Sequence, residues 1–122
     1  MSESKINIQD KFQLINEFWS PKIIGELNGQ LVKIAKIKDE FIWHHHENED
    51  ELFLVVKGTL LMDFRDRTEV IKQGEMIIVP KGVEHRPRTE NEEVHILLFE
   101  PASTLNTGEI ENERTKKNLE KI

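Results

Sequence analysis

Residues 51–65 read ELFLVVKGTLLMDFR, two apolar runs on either side of Gly58. Short runs rich in branched and aromatic residues, cut by a glycine, predict two β-strands joined by a tight turn. On a strand, alternate side chains share a face. Glu51, Phe53 and Val55 therefore lie on one face, and Leu52, Leu54 and Val56 on the other. Both faces are apolar, so a single sheet with one wet side does not suit them. One face lines a barrel interior. The other meets a second sheet, a covering segment or a second chain, and the last of these is an argument for a homodimer.

The flanking sequence keeps the same rhythm. KIIGEL and QLVKIAKIK surround Asn28-Gly29, the strongest two-residue hairpin signal. EFIWHHH follows Asp39, TEVIK follows Asp66-Arg67, and EMIIVP follows Gln73-Gly74. VEHRPR comes after Lys81-Gly82, and EVHILLFE is ended by Pro101. This pattern predicts an all-β antiparallel sandwich or barrel over residues 22–101. Residues 1–21 form an N-terminal extension. Within it DKFQLINEFW reads as a short helix or a strand. As a helix, Asp10 is the N-cap, Gln13 completes a capping box, and Phe12, Ile15, Phe18 and Trp19 fall near one face. Residues 102–122 are polar, with IENERTKKNLEKI read as a terminal helix or a frayed tail.

Composition narrows the function classes. A chain of 122 residues is one domain by length. Zero cysteines exclude disulfides, iron–sulfur clusters and thiolate zinc sites. A net charge of −6 opposes non-specific nucleic-acid binding, which needs a basic surface. No apolar run approaches the roughly 18 residues of a membrane helix. The opening MSESKINIQD lacks the apolar region of a secretory signal. The expectation is a cytoplasmic protein with a small-molecule ligand and neither a nucleic-acid nor a membrane partner.

HHHENEDE, residues 44–51, carries the chemistry. On a strand His44 and His46 point one way and His45 the other. Two imidazoles at that spacing, about 7 Å apart at Cα, can reach one ion at about 2.0–2.1 Å. A turn around Asn48 would return Glu51 beside His46 on an antiparallel neighbour. His85, 34 residues beyond Glu51, stands on its own short strand where it could close the set. Adjacent histidines in a polar stretch also suit a solvated loop, and short motifs match by accident.

The longer pattern decides between them. From His44 the chain runs H-x-H, four residues, Glu51, six residues, Gly58. Later, Gly74 is followed by five residues, Pro80, Lys81, Gly82, two residues and His85. This resembles the two signature motifs of the cupin superfamily, over about residues 38–88, with a strand layout that extends the likeness to 22–100. The resemblance implies a double-stranded β-helix, the small cupin jelly-roll barrel, with His44, His46, Glu51 and His85 as metal ligands. It is nearest to stand-alone cupins of the mannose-6-phosphate isomerase-like type. That label is an analogy of fold, and the sequence has no cationic phosphate cradle. The chain departs from the motifs at two places. Lys38 stands where the family has glycine, and Thr89 where it has asparagine.

Three imidazoles and a carboxylate suit one divalent transition metal: Fe, Mn, Ni, Zn, Co or Cu. Open coordination positions would polarise a substrate oxygen. Period-two counting puts Ile42 with His44, Phe53 and Val55 with Glu51, and Phe64 nearby, as an apolar pocket. Each is also ordinary barrel core. His95, sharing a face with Leu97 and Phe99, is the candidate general base. A buried, hydrogen-bonded structural histidine is the more common outcome for such a residue. Arg65, Arg86 and Arg88 are candidate anion contacts or surface partners of the acidic run, and Glu47, Glu49 and Asp50 read as a solvated loop. Two functions follow: a metal-dependent oxygenase, isomerase or lyase acting on a small oxygen-rich molecule, or a non-catalytic module that binds a small ligand or metal.

Overall fold

A computed structural model describes residues 3–122. Met1 and Ser2, part of the expected N-terminal extension, lie outside the described residues. A short helix α1 (Ile8–Phe12) precedes eight strands: β1 (Lys22–Leu27), β2 (Gln30–Ile37), β3 (Glu51–Lys57), β4 (Thr59–Phe64), β5 (Thr68–Lys72), β6 (Met76–Val79), β7 (His85–Arg88) and β8 (Val94–Pro101). The strands make two antiparallel sheets, ordered β1-β2-β8-β3-β6 and β5-β4-β7. This is the expected all-β jelly roll. Its first hairpin turns where Asn28-Gly29 predicts. Both turn residues have left-handed backbones (φ 51° and 78°), as a two-residue hairpin loop requires.

The two-faced strands find two partners. Inward residues of both sheets, among them Ile37, Val55, Leu60, Met62, Val94 and Ile96, form the main core between the layers. On the outer face of the larger sheet, Ile34 packs with Phe12 and Ile15, flanked by Ile8, Leu97 and Ile122. A covering segment of the same chain thus buries much of the second apolar face. Fully burying each such side chain contributes about 1.5–3 kcal/mol.

Both ends differ from the sequence reading. Asn7, not Asp10, caps α1, its side-chain oxygen accepting from the Asp10 amide at 3.0 Å. The earlier cap shifts the helix toward the N-terminus. Phe12 and Ile15 are buried, whereas Phe18 is exposed and Trp19 turns away on a left-handed backbone (φ 59°). The tail is neither a helix nor frayed. Its threonine and asparagine side chains take the backbone groups a helix would need. Thr107 Oγ1 donates to the Ile110 carbonyl, Asn106 Nδ2 donates to Arg114, and Asn106 Oδ1 accepts from the Lys116 amide. The last residues run parallel to β1, with the Ile122 amide donating to Ile23 and the Ile23 amide to Glu120.

One charged cluster fixes the strand that bears His85. Asp63 on β4 is 5% exposed, and it accepts from Arg86 and Arg88 of β7 and from Thr68. Arg65 instead pairs with Glu84 and stacks over Trp43. The three arginines therefore serve the small sheet rather than the acidic run or the core cavity. Burial would raise the Asp63 carboxyl, but bonds from Arg88, Thr68 and Arg86 outweigh it and hold it at about 2. A pKa held below its unfolded value stabilises the fold above about pH 4, and that contribution fades as pH falls through about 2. Asp63→Ala should therefore cost about 2 kcal/mol in urea unfolding at pH 6. The gap between wild type and variant should narrow toward zero between pH 4 and pH 2.

Candidate metal centre

The segment 39–46 is not a regular strand. It lies along β7, bridged at Glu40–Arg88 and His44–His85. The Phe41 amide donates to Pro87, and His44 and His85 exchange both backbone bonds at 3.0 and 2.9 Å. Four steps on one side thus oppose three on the other, which is a bulge. The bulge breaks period-two alternation, so Phe41 rather than Ile42 reaches the cavity beside His44. The expected hairpin between the histidines and Glu51 does not form. Residues 47–50 carry the chain across to the larger sheet, where β3 pairs with β6 and β8. The acidic loop is partly tied down, since Asp50 accepts from the Lys81 amide and Glu49 from Ser103.

One of the two positions that depart from the motifs, Thr89, holds the residue that follows the other, Lys38. Thr89 exchanges bonds with Asp39: its amide donates to the Asp39 carbonyl, and its hydroxyl oxygen accepts from the Asp39 amide. Asp39 itself takes the left-handed turn (φ 65°), one residue after Lys38.

His44, His46, Glu51 and His85 come together from the two sheets. All four are buried, and one ligand atom from each lies within 4.8 Å of the others. An ion bound at about 2.0–2.1 Å needs ligand atoms no more than about 4.2 Å apart, so small side-chain adjustments suffice. The tautomers suit it as well. His44 Nδ1 and His85 Nδ1 each lie 2.9 Å from a backbone carbonyl, those of Ile42 and Val83. A carbonyl only accepts, so Nδ1 carries the hydrogen and Nε2 turns a lone pair to the centre. His46 Nε2 lies 2.8 Å from Glu51 Oε1, yet neither of its ring nitrogens makes a hydrogen bond. His85 Nε2 lies 3.2 Å from the same oxygen. Lone pairs aimed at a carboxylate inside a buried site are the mark of a cation position, and the residues fit a divalent metal. His45 faces outward to Glu47.

Electrostatics agree with ligand roles. Burial, then the neighbouring His85, lowers His44 to about 4, against the opposing bond to Ile42. It is neutral at pH 7, and metal binding displaces no proton from it. Burial works to raise Glu51, yet the contacts from His46, His85 and Glu100 hold it well below the usual carboxylate range, the two histidine contacts doing so through a positive charge, a proton or an ion, between ring and carboxylate.

A cavity of about 50 Å³ adjoins the cluster and is lined by His44 and Glu51 themselves. Of the four expected pocket residues only Phe53 lines it. Ile42 is displaced by the bulge, while Val55 and Phe64 are packed in the core. His95 is on the wrong face for a general base. Alternation on β8 turns Ile96, Leu98 and Glu100 inward and leaves His95 outside, stacked on Phe12 at 4.5 Å and 2.5 Å from Glu93. The sequence reading missed Trp19, Phe41, Lys33, Glu100 and Asn106, all of which line the cavity. Trp19 stacks on Phe41 at 4.8 Å and donates to the Lys38 carbonyl. Lys33 and Glu100 form a buried ion pair at 2.7 Å. Their signal was parity, because each sits in step with inward apolar neighbours.

This fold agrees with what comparison with known proteins finds. The Cupin domain profile matches residues 30–100, and the chain belongs to the cupin family. It is 47% identical to a cupin-2 domain protein from Shewanella frigidimarina NCIMB 400, at a TM-score of 0.77, over 79% of this chain and 93% of that one. NMB1881 from Neisseria meningitidis is 35% identical at a TM-score of 0.73, over 81% of this chain and all of that one (100%). The YdbB protein of Bacillus subtilis (strain 168) is 45% identical over 67 residues, 54% of this chain. That match spans 59% of the relative's length.

The C-terminal segment straps the cluster from outside. The Glu109 amide donates to the His45 carbonyl, and Gly108 has a left-handed backbone (φ 63°). A Cβ on Gly108 would sit 2.0 Å from the His45 oxygen and 3.2 Å from the His44 ring. Gly108→Ala should thus displace the strap or the histidine segment, costing about 2–4 kcal/mol. Thermal unfolding with and without added Zn(II) checks this. The variant should melt lower, and zinc should raise its melting temperature less than it raises that of wild type.

Proposed function

We propose that the chain is a metal-dependent enzyme in which His44, His46, Glu51 and His85 hold one divalent transition metal beside a cavity open to a small oxygen-bearing substrate. The observation that carries this reading is the convergence of one ligand atom from each of these four buried residues, two of which also line the cavity. A divalent ion held there supplies Lewis acidity to a substrate oxygen. The residues supply the rest. The imidazole nitrogens accept the ion, Glu51 offsets part of its charge, and Phe41, Phe53, Ile96 and Leu98 keep bulk water from the reacting group. The cavity's one lysine, Lys33, is already paired, which argues against a phosphosugar substrate. We read the protein as cytoplasmic, consistent with a cysteine-free chain in which no described helix is long and apolar enough to cross a membrane.

Elemental analysis tests the centre. Wild type should carry about one ion per chain. His46→Ala, Glu51→Ala and His85→Ala should each fall below a tenth of that. Losing a ligand costs more than the roughly 10–100-fold lost with a ligand's orienting partner. Equal metal in all four proteins would end this reading. Enzyme and binding module then separate by product. An enzyme converts a substrate from a panel of small hydroxycarbonyl and 2-oxo compounds, whereas a module returns its ligand unchanged.

We also propose a homodimer. Its support is apolar surface at the open edges of the two sheets. Val70 on β5 and Met76 and Ile78 on β6 are more than half exposed (53%, 58% and 55%) beside a groove between these strands. Unpaired edges of this kind invite pairing with another chain. Light scattering at micromolar concentration should give twice the 14.3 kDa chain mass, and Met76→Lys with Ile78→Lys should return it to the monomer value.

A further inference from the structure

Beside the imidazole cluster the cavity holds a charge pair that metal ligation does not use. Lys33 on β2 and Glu100 on β8 are only 2% and 3% exposed, and Lys33 Nζ donates to Glu100 Oε1 at 2.7 Å. Both line the same cavity as His44 and Glu51. The Glu100 carboxyl is also within reach of Glu51. The bonding capacity of the pair is not spent. An ammonium carries three N–H donors, and one of them goes to Glu100. Glu100 Oε2 is buried with no hydrogen-bond partner. Unspent polar groups are costly to bury, and well-packed apolar residues in place of such a pair are often at least as stable. The arrangement has the form of a binding pole awaiting a partner.

We propose that Lys33 and Glu100 recognise a small neutral molecule carrying a hydroxyl next to a carbonyl. The hydroxyl donates to Glu100 Oε2. The carbonyl oxygen accepts from a free N–H of Lys33 or lies toward the imidazole cluster, and the carbons rest against Phe53, Ile96 and Leu98. A carboxylate ligand is disfavoured because Glu51 and Glu100 already place two carboxyl groups there. At about 10–15 Å³ per water-sized group, a cavity of about 50 Å³ takes a molecule of about three to five non-hydrogen atoms. The proposal rests on the metal-centre reading for the placement of the substrate's oxygen, and it adds the class of molecule.

The test uses hydroxyacetone, with acetone as the control lacking the hydroxyl. Each is titrated into the Zn(II)-treated full-length chain and followed by amide NMR shifts, with zinc content measured on the same samples. Shifts should appear at Lys33, Leu98 and Glu100, and hydroxyacetone should bind at least about tenfold tighter than acetone, as a hydrogen bond to an otherwise unpaired buried oxygen predicts. The double variant Lys33→Met/Glu100→Met removes both charges at similar volume. It should keep its zinc and bind the two compounds within about twofold of each other. Should it fail to fold, Glu100→Gln leaves Lys33 an acceptor but replaces the free oxygen by an amide donor, and it should cut the preference at least about threefold. Equal binding in wild type overturns the proposal, as does a preference that survives in a folded variant. So does loss of zinc together with the preference, which would make the pair a support for Glu51. If wild type takes up no zinc, the metal reading fails. The same comparison on the metal-free chain then decides the recognition pole alone, a preference for hydroxyacetone supporting it and equal binding overturning it.

Discussion

A buried carboxylate beside imidazole nitrogens is costly to bury unless positive charge sits among them. Glu51 stays ionised against its own burial, and His44 is held neutral. The backbone carbonyls of Ile42 and Val83 fix two of the rings with Nε2 inward. Two of the site's electron pairs are therefore already oriented as a bound cation would need them. Carbonyl-fixed tautomers orient metal-ligating histidines and raise their basicity. Here those carbonyls lie two residues before each histidine, so the same short turns that shape the chain also aim the rings.

The fold supplies the site by joining its two layers. His44 and His46 come from an irregular edge segment of the smaller sheet, His85 from β7 of that sheet, and Glu51 from the first residue of β3 in the larger one. A cation at their meeting point would tie the layers together and couple binding to stability. Around it the chain invests unusual backbone. Asp39 and Trp19 are left-handed without being glycine, Gly108 touches the His45 carbonyl, and Thr89 clasps the turn at Asp39. Such features persist where the surroundings over-determine them, and they gather at functional sites.

Much of this was legible in the sequence, and what was not has a physical cause. The strands, the Asn28-Gly29 hairpin and the four clustered residues follow from alternation, turn chemistry and motif spacing. The bulge at 41–44 does not, because it exists only against β7, and pairing partners are not written locally. For the same reason Asn48 looked like a hairpin turn when it is part of a crossing between sheets. Asn7 and Asp10 are both good caps three residues apart, and tertiary packing of Phe12 and Ile15 favours the earlier one. The tail has helical charge spacing, but Thr107 and Asn106 spend their side chains on its backbone once it is folded against the barrel.

Lys33 and Glu100 were legible in a different sense. Parity puts Lys33 on the same face as Leu31, Ala35 and Ile37, and Glu100 with Val94, Ile96 and Leu98. One charge of each sign therefore points into an apolar interior, on strands that are hydrogen-bonded neighbours. Taken alone, such a pair adds little to stability, since desolvating both groups consumes most of what their attraction returns. Its position changes the balance. Glu51 and Glu100 are in contact, and burial with the nearby Glu51 charge pushes Glu100 well above the usual carboxylate range despite Lys33, while the same contact helps hold Glu51 low. A core selected for stability alone would not put two carboxyl groups in contact. Positive charge at the imidazole cluster would offset the Glu51 charge that raises Glu100. The Lys33–Glu100 pair and the four-residue cluster are thus one electrostatic unit, whose two halves are each costly without the other.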